Sequence, residues 1–330
     1  MRNTLLTFPG VNARSRLNIT SLFAIAAALG GCGAGGNDGG VASTPVPTAA
    51  PLPVNTQLPL TETETFNEAA SAKIVGTVDT RSGAVEDVTL PSRASFATLS
   101  VAYNATANTY TVADEASSKT FAPADLTAGT PSFDHYTQAS TVAGGGPGST
   151  TVSDLYLFRP GANNSRLSLT YATYGVWATS QQGSSNTRLL ARFATFGVQT
   201  PVASMPRTGS ASYTGIVDGI ATVDNQAYRL TGSSGTVTAN FATGVVRTNL
   251  SLVGNPDVLS LAEGNVALGT LAGTGAIANQ SNRYTGTING LGASGSFGGG
   301  FYGPNALETA LAFSLNGDAN SAVGVFVGKK

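Results

Sequence analysis

The chain has 330 residues, a formal net charge of −1 and only 11% charged residues, against about 25% in ordinary soluble domains. This balance leaves no basic surface for nucleic acid, and the single Cys and single His exclude an intrachain disulfide and a Cys/His zinc cluster. Glycine is abundant, at 41 residues, and together with many Thr, Ser, Val and Tyr it favours sheet over helix.

The N-terminal sequence is typical of a secretory leader. Basic residues precede an apolar run at residues 22–29, which predicts a signal peptide over residues 1–31 that is too short to span a membrane. The run ends in Leu-Gly-Gly-Cys, which resembles a bacterial lipobox, so we expect Cys32 to carry lipid such as palmitate. Gly33, rather than Asp, follows the Cys, so nothing signals retention in the inner membrane, and we expect outer-membrane anchoring by analogy with Gram-negative lipoproteins. The alternative is an ordinary cleaved leader followed by a chance free Cys.

Residues 32–62 are rich first in Gly and then in Pro, without apolar periodicity. This composition predicts a lipid-anchored tether, flexible at first and stiffer later, that holds a domain away from a membrane. The following stretch, residues 61–70, allows at most one short helical turn because Thr residues interrupt it.

Residues 63–207 predict a β-rich handle domain. Its expected strands are 74–78, 97–103, 110–112, 153–159, 166–178 and 187–197. Two segments have similar sequences, YATYGV at 171–176 and FATFGV at 193–198. Either they occupy equivalent positions on neighbouring strands, or the similarity arises by chance. We expect Trp177 to close the core of a sheet rather than to stack on a ligand.

Two prolines between residues 201 and 207 mark a domain boundary, and residues 208–330 alternate in apolar character. Eight arms follow, enough to close an eight-stranded antiparallel barrel filled by its own side chains. The arms are 211–217, 237–241, 246–252, 265–276, 283–288, 294–302, 307–315 and 321–327.

The hairpin at residues 294–315 carries a family resemblance. Its FYGPNA turn (301–306) with Glu308, and the segment MPRTGSASYTG (205–215), resemble the C-terminal barrel of transferrin-binding protein B-like lipoproteins. Thr309 and Ala310 stand where that family usually has two glycines. The resemblance extends from about Ala97 to Lys330 and is most specific from Met205 onward.

This resemblance implies a single-lobe, surface-exposed lipoprotein of the outer membrane. It would bind a host iron- or haem-carrying protein, or a small solute, through loops at the ends of its sheets, and would meet outer-membrane lipid through Cys32. An outer-membrane receptor or translocator is a further candidate partner. The candidate binding loops, chosen by position, are 181–186, 218–226, 255–264 and 279–282.

No catalytic, cofactor or metal site is predicted. His135 is the only residue that titrates near neutral pH, and the adjacent Asp134 would face the opposite side of a strand, so we expect His135 to be exposed or packed in a hairpin. The acidic residues are sparse and no nucleophile has a plausible base, so an enzyme is not expected.

Two other classes compete with a surface binder. A structural or envelope-maintenance lipoprotein of the periplasm, with no external ligand, fits the same sequence. An integral outer-membrane barrel fits less well, because the outward positions here are Thr, Asn, Ser and Arg, where an apolar band is required.

Overall fold

A computed structural model describes residues 54–67, 69–79, 85–89, 95–96, 99–127, 129–141, 150–183, 186–224, 226–256 and 265–330. The predicted leader, Cys32 and most of the predicted tether lie outside these residues. Within them the chain forms twenty strands and three short 3-10 turns, at Pro123–Asp125, Val202–Ser204 and Pro304–Ala306. The predicted mainly β class is therefore confirmed.

The strands are β1 Glu64–Phe66, β2 Ala70–Asp79, β3 Val85–Thr89, β4 Ser95–Phe96, β5 Leu99–Asn104, β6 Thr109–Asp114, β7 Ser118–Phe121, β8 Phe133–Thr141, β9 Thr150–Phe158, β10 Ala172–Gln182, β11 Asn186–Gly197, β12 Ser210–Val223, β13 Gln226–Arg229, β14 Ser233–Asn240, β15 Val245–Pro256, β16 Val266–Ile277, β17 Arg283–Gly290, β18 Ala293–Tyr302, β19 Glu308–Asn316 and β20 Ser321–Lys329. No helix in the described part of the chain is long and apolar enough to cross a membrane.

The strands form three antiparallel sheets. The outer sheet has the order β1-β5-β6-β7, and the middle sheet has the order β3-β2-β11-β10-β9-β8 with β4 paired to β2. These two sheets together are called the handle here. The third sheet runs from β12 through β14 to β20, and β20 pairs back onto β12. That pairing closes an eight-stranded barrel, as predicted, while the short strand β13 is an addition that the sequence did not indicate.

The barrel is filled by its own side chains. Apolar residues at every second position point into a single cluster, and their alternation follows the period of two that defines strands. Its largest members include Tyr213, Tyr284, Phe297, Phe301 and Phe313, all at most 1% exposed. The lumen is therefore a packed core, and the barrel presents its surfaces outward for function.

Glycines line the closing seam between β12 and β20. Gly215 lies opposite Gly328, and Gly219 lies opposite Gly324. A Cβ atom on Gly215 would stand 1.9 Å from the carbonyl oxygen of Val327, and one on Gly219 would stand 2.2 Å from that of Val323. The two strands can approach this closely only because these positions have no side chain.

The middle sheet is buried on both faces. Trp177 and Phe196 face the outer sheet, while Tyr174 and Phe193 face the barrel. Tyr174 and Phe196 are the fourth residues of the two similar segments, yet they face opposite sides of the sheet. The similarity of the two segments therefore does not reflect equivalent structural roles. Trp177 is 3% exposed and its Nε1 donates to Ser153 Oγ at 2.9 Å, so its predicted role in a sheet core is confirmed.

The contact between handle and barrel is a second apolar cluster, called the junction cluster here. The middle sheet contributes residues such as Tyr174 and Phe193, and the outside of the barrel contributes small residues such as Ala310, Ala312 and Val325. The sequence predicted a half-buried strand at 307–315. The structure buries both faces of β19, because its Ala side lies against the handle and its Leu and Phe side fills the lumen.

The first described residues correct two predictions. Leu58 and Leu60, assigned to the tether, are each 6% exposed and pack in the cluster between the outer and middle sheets. The side chain of Asn55 accepts the backbone N–H groups of Thr61 and Glu62 and donates to Glu64, which orders this segment. The helical turn allowed at 61–70 is absent there, and β1 pairs with β5 instead.

Candidate functional site

The FYGPNA turn fixes the end of the barrel next to the handle. Phe301 lies in the barrel core, with its ring centroid 5.1 Å from that of Tyr284, and the next residue, Tyr302, lies in the junction cluster. Gly303 has φ of +71°, and a Cβ atom there would stand 2.3 Å from the ring of Tyr171 in the handle. Only glycine permits both this backbone conformation and this contact. The turn is therefore shaped to receive the handle.

Glu308 anchors the handle chain to the barrel. Its side chain is buried at 4% exposure, and its Oε1 accepts the backbone N–H of Thr170 at 2.7 Å. Oε2 accepts the N–H groups of Tyr171 and Ala172, each at 2.8 Å. Three charge-assisted bonds satisfy a carboxylate that would otherwise be costly to bury. These bonds also explain why β10 begins at Ala172, later than the predicted start at 166, because the preceding amides bond to Glu308.

A second acidic residue joins the same two parts. Asp218 in β12 accepts a bidentate pair of bonds from Arg166, Nη1 to Oδ2 at 2.7 Å and Nη2 to Oδ1 at 2.8 Å. The hydroxyl of Tyr174 in β10 also donates to Oδ2 of Asp218. A planar guanidinium against a carboxylate gives fixed geometry as well as attraction, so this group sets the angle between handle and barrel.

Burial and pairing act in opposite directions on this group. Burial raises the pKa of Asp218, while the bonds from Arg166 and Tyr174 act to lower it. Burial lowers the pKa of Arg166, but the bonds and charge of Asp218 more than offset this and raise it. Burial also raises the pKa of the Tyr174 phenol, so it remains protonated and donates. On balance burial prevails over the bonds from Arg166 and Tyr174, and the pKa of Asp218 lies above its usual value.

A third acidic residue joins the outer sheet to the middle sheet. Arg192 in β11 donates from Nε to Oδ2 of Asp114 in β6 at 2.6 Å, and both side chains are at most 6% exposed. The guanidinium of Arg192 lies 3.9 Å from the centroid of the Trp177 ring, a cation–π contact. Burial works to raise the pKa of Asp114, but the bonds and charge of Arg192 prevail and lower it below its usual 3.8.

His135 is packed within the handle. Its Nε2 lies 2.9 Å from Oδ1 of Asp154, and its ring stacks on Tyr156 with centroids 4.1 Å apart. The hydroxyl of Thr127 lies 2.9 Å from Nδ1 and also donates to the backbone carbonyl of His135. The adjacent Asp134 bonds to Arg159 instead, as its position on the opposite face predicted. These contacts hold β8 against β9, so His135 is buried rather than exposed.

The structure changes one of the candidate loops, leaves most of a second outside the described residues, and buries one residue of a third. Asp218 to Val223 belong to β12, because the ladder with β20 continues as far as Thr222, so only residues 224 and 225 connect β12 to β13. Asn255 lies in β15, and residues 257–264 are outside the described part of the chain. Asn282 is buried and donates to the carbonyl of Thr200 at 2.7 Å, so it supports the junction rather than a partner.

The fourth loop, 181–186, falls at one end of the middle sheet. Gln182 pairs with Thr150, Thr150 pairs with Thr141, and Asn186 pairs with Asp79. Three strand connections therefore leave from the same edge, which is called the handle tip here and is defined by these five residues. Gln181, Thr141 and Asn186 are exposed. The middle-sheet residues of the junction cluster come from the opposite half of each strand, so the tip lies beyond the part that the barrel covers.

Residues 205–330 match the family described as the C-lobe and N-lobe beta barrels of Tf-binding protein B. This region is similar to the barrels of that family. The resemblance seen at the FYGPNA turn and at residues 205–215 is thus confirmed for the barrel. The match begins at Met205 and does not include the weaker upstream part of the resemblance.

Three solved structures are similar to this chain at low identity. Transferrin-binding protein B of Haemophilus parasuis, as a double mutant, is 17% identical with a TM-score of 0.39, covering 78% of this chain and 44% of that one. The protein of Neisseria meningitidis is 15% identical with a TM-score of 0.38, covering 78% and 43%. The haemoglobin receptor HpuA of Kingella denitrificans is 16% identical with a TM-score of 0.35, covering 81% and 86%.

This chain spans less than half the length of the two transferrin-binding proteins B. No protein of curated function is detectably similar to it in sequence.

Proposed function

We propose that this chain is a lipid-anchored protein of the outer membrane, exposed at the cell surface, that binds a host iron- or haem-carrying protein through its handle tip. The observation that carries the proposal is the match of residues 205–330 to the transferrin-binding protein B barrels. Within this chain, Glu308 and Asp218 fix the handle against the barrel.

The handle tip supports a docking role by its position and chemistry. It lies beyond the junction cluster, and its residues Thr141 and Asn186 are exposed, as is Gln181, which adjoins the tip residue Gln182 in β10. Neutral polar side chains at strand ends, held by a rigid sheet, suit protein recognition because the strands carry the stability and the loops carry the contacts. The packed cores on both sides of the middle sheet hold this end in a fixed orientation.

Anchoring at Cys32 and the tether fit the same role. The leader ends directly before Cys32, and the segment between Cys32 and the first packed residues near Asn55 can extend across tens of ångströms, about 3 Å per residue when Pro-rich. Such a tether would present the handle tip to proteins outside the cell. A second protein of the outer membrane would then receive the cargo, in keeping with iron acquisition.

Binding by the purified full chain in detergent tests the proposal. Iron-loaded transferrin, lactoferrin and haemoglobin are passed over the immobilised chain, and we expect at least one of them to bind saturably. The tip variant Gln181→Arg/Asn186→Arg should weaken that binding at least tenfold, because it places unpaired charges in the interface. Thr243→Arg, exposed in the turn between β14 and β15, is the matched control and should leave binding unchanged.

Two outcomes would contradict the proposal. Binding of none of the three proteins would favour the periplasmic structural lipoprotein. Binding that the tip variant and the Thr243→Arg control weaken equally would remove the handle tip as the docking surface.

A further inference from the structure

A polar cavity of about 450 Å³ lies on the outer wall of the barrel, across β14, β15, β16 and β17. Its volume falls within the range of about 300–1,000 Å³ in which small-molecule sites are found. These four strands contribute nothing to the junction cluster, which uses residues of β12, β18, β19 and β20 on the barrel side. The cavity is therefore separate from the handle and from the handle tip.

Strand register builds the cavity from two rows of outward side chains. Thr236 pairs with Asn249, Asn249 with Ala272, and Ala272 with Asn289, which forms the first row. The second row follows from the pairs Thr238–Arg247, Arg247–Thr274 and Thr274–Thr287. The rows are two residues apart along each strand, roughly 7 Å. The second row carries hydrogen-bonding side chains on all four strands, and the first row carries them on three, with Ala272 between Asn249 and Asn289.

The floor between the rows is the backbone of the pair Thr248 and Gly273, and it is supported from within. A Cβ atom on Gly273 would stand 2.7 Å from Oγ1 of Thr248 and 2.9 Å from the ring of Phe297 in the lumen. Thr248 is 4% exposed, and its Oγ1 has no hydrogen-bond partner among the residues that the structure describes. The floor cannot collapse inward, because Phe297 already fills the space beneath it.

Arg247 supplies the only charge of the cavity. It is exposed, and none of the ion pairs found among the described residues includes it. The other lining residues are Thr, Asn, Ala and Gly, with no carboxylate among them. An exposed guanidinium without an acidic neighbour is free to receive an anion in bidentate geometry.

We propose that this cavity binds an acidic sugar, a saccharide unit that carries a carboxylate. Arg247 takes the carboxylate, while the Thr hydroxyls and Asn amides on both rows donate to and accept from the sugar hydroxyls. A cation would meet the positive charge of Arg247, and no acidic residue lines the cavity. This activity is additional to protein docking at the handle tip and does not depend on it.

Ligand-observed NMR with the purified full chain tests the proposal. The probes are trigalacturonic acid and sialyllactose, which separate a polyuronide from a terminal host-type acid, and the control probe is the methyl ester of trigalacturonic acid. We expect at least one acid to bind and the ester to bind at least tenfold more weakly. Arg247→Gln should weaken binding of the acid at least tenfold, since it removes the paired charge-assisted bonds.

Two further variants sharpen the result. Arg188→Gln makes the same charge change on the exposed handle and should not alter binding. Thr274→Glu places a carboxylate beside Arg247 and should abolish binding while the guanidinium remains. Absence of binding by both acids at millimolar concentration, equal binding of acid and ester, or equal loss in the Arg188→Gln control would overturn the proposal.

Discussion

Oε2 of Glu308 accepts the backbone N–H of Tyr171 at 2.8 Å, although 137 positions separate the two residues in the chain. Tyr171 in turn packs against Gly303, at the start of the turn that leads to Glu308. One short stretch of the barrel thus holds the segment that opens strand β10, and through it the whole middle sheet. The FYGPNA turn and Glu308 therefore hold the handle against the barrel.

Loss of the Glu308 charge should weaken the contact between barrel and handle. In Glu308→Gln, the side-chain NH2 group faces at least one backbone N–H that the carboxylate accepts, so one donor is left without a partner. We expect the free energy of unfolding of the full chain to fall by about 3 kcal/mol. Denaturant unfolding measures it. Glu115→Gln, an exposed acid in the handle, is the control and should change stability by less than about 0.5 kcal/mol.

The sequence predicted the barrel well because its signals are local. Residues 307–315 show a period of two, Gly and Asn mark the turn, and eight such arms close the sheet. The role of Glu308 is not local, because its partners lie at 170–172. The available signal was a single acid in an otherwise apolar strand, which indicates a buried, satisfied carboxylate. The burial of both faces of β19 is also not a local property, because the Ala side of the strand meets the handle only in the folded chain.

Gly303 should tolerate no side chain. In Gly303→Ala, the added methyl group overlaps the ring of Tyr171 and the residue must keep φ near +71°. We expect a loss of about 3 kcal/mol in the free energy of unfolding. Gly232→Ala is a close control, because Gly232 has φ of +87° and no atom within 4 Å of the added Cβ, so only about 1 kcal/mol should be lost. Equal losses in both variants would show that the Tyr171 contact contributes nothing.

The acidic residues were the largest omission of the sequence-based prediction. They are few and widely spaced, so no local pattern links any of them to a partner, and Asp218 falls within the predicted binding loop 218–226. In the structure Asp114, Asp218 and Glu308 each join two separate layers. Their partners lie 78, 52 and up to 138 positions away, and a pattern read along the chain does not reveal such pairs.

Asp114 should make stability depend on acid pH. Its folded pKa lies below the usual 3.8, because Arg192 favours the ionised form. The stability that it contributes is therefore complete above the unfolded pKa and is lost as the pH falls through the folded pKa. Between pH 5 and about pH 2, Asp114→Asn should show a shallower fall in unfolding free energy than the natural chain. Identical slopes in the two proteins would contradict a coupling between Asp114 and Arg192.

Lipid attachment at Cys32 can be measured in growing cells. Labelled palmitate should be incorporated into the natural chain and not into Cys32→Ala, because Cys32 is the only cysteine. Protease added to intact cells should then remove the handle and barrel from the natural protein. Equal labelling of both proteins would contradict the anchor, and full protection from protease would favour the periplasmic alternative.

The union of handle and barrel into one body is tested most directly by two-probe unfolding of the full chain. Trp177, the only tryptophan, reports on the handle by fluorescence, and hydrogen exchange at the β18 and β19 amides reports on the barrel. In the natural chain, both probes should give one coincident denaturant transition. In the double variant Glu308→Gln/Asp218→Asn, the Trp177 transition should occur at a lower denaturant concentration than the transition of the barrel. Separate transitions in the natural chain, or coincident ones in the variant, would contradict the joining of the two parts by these acids.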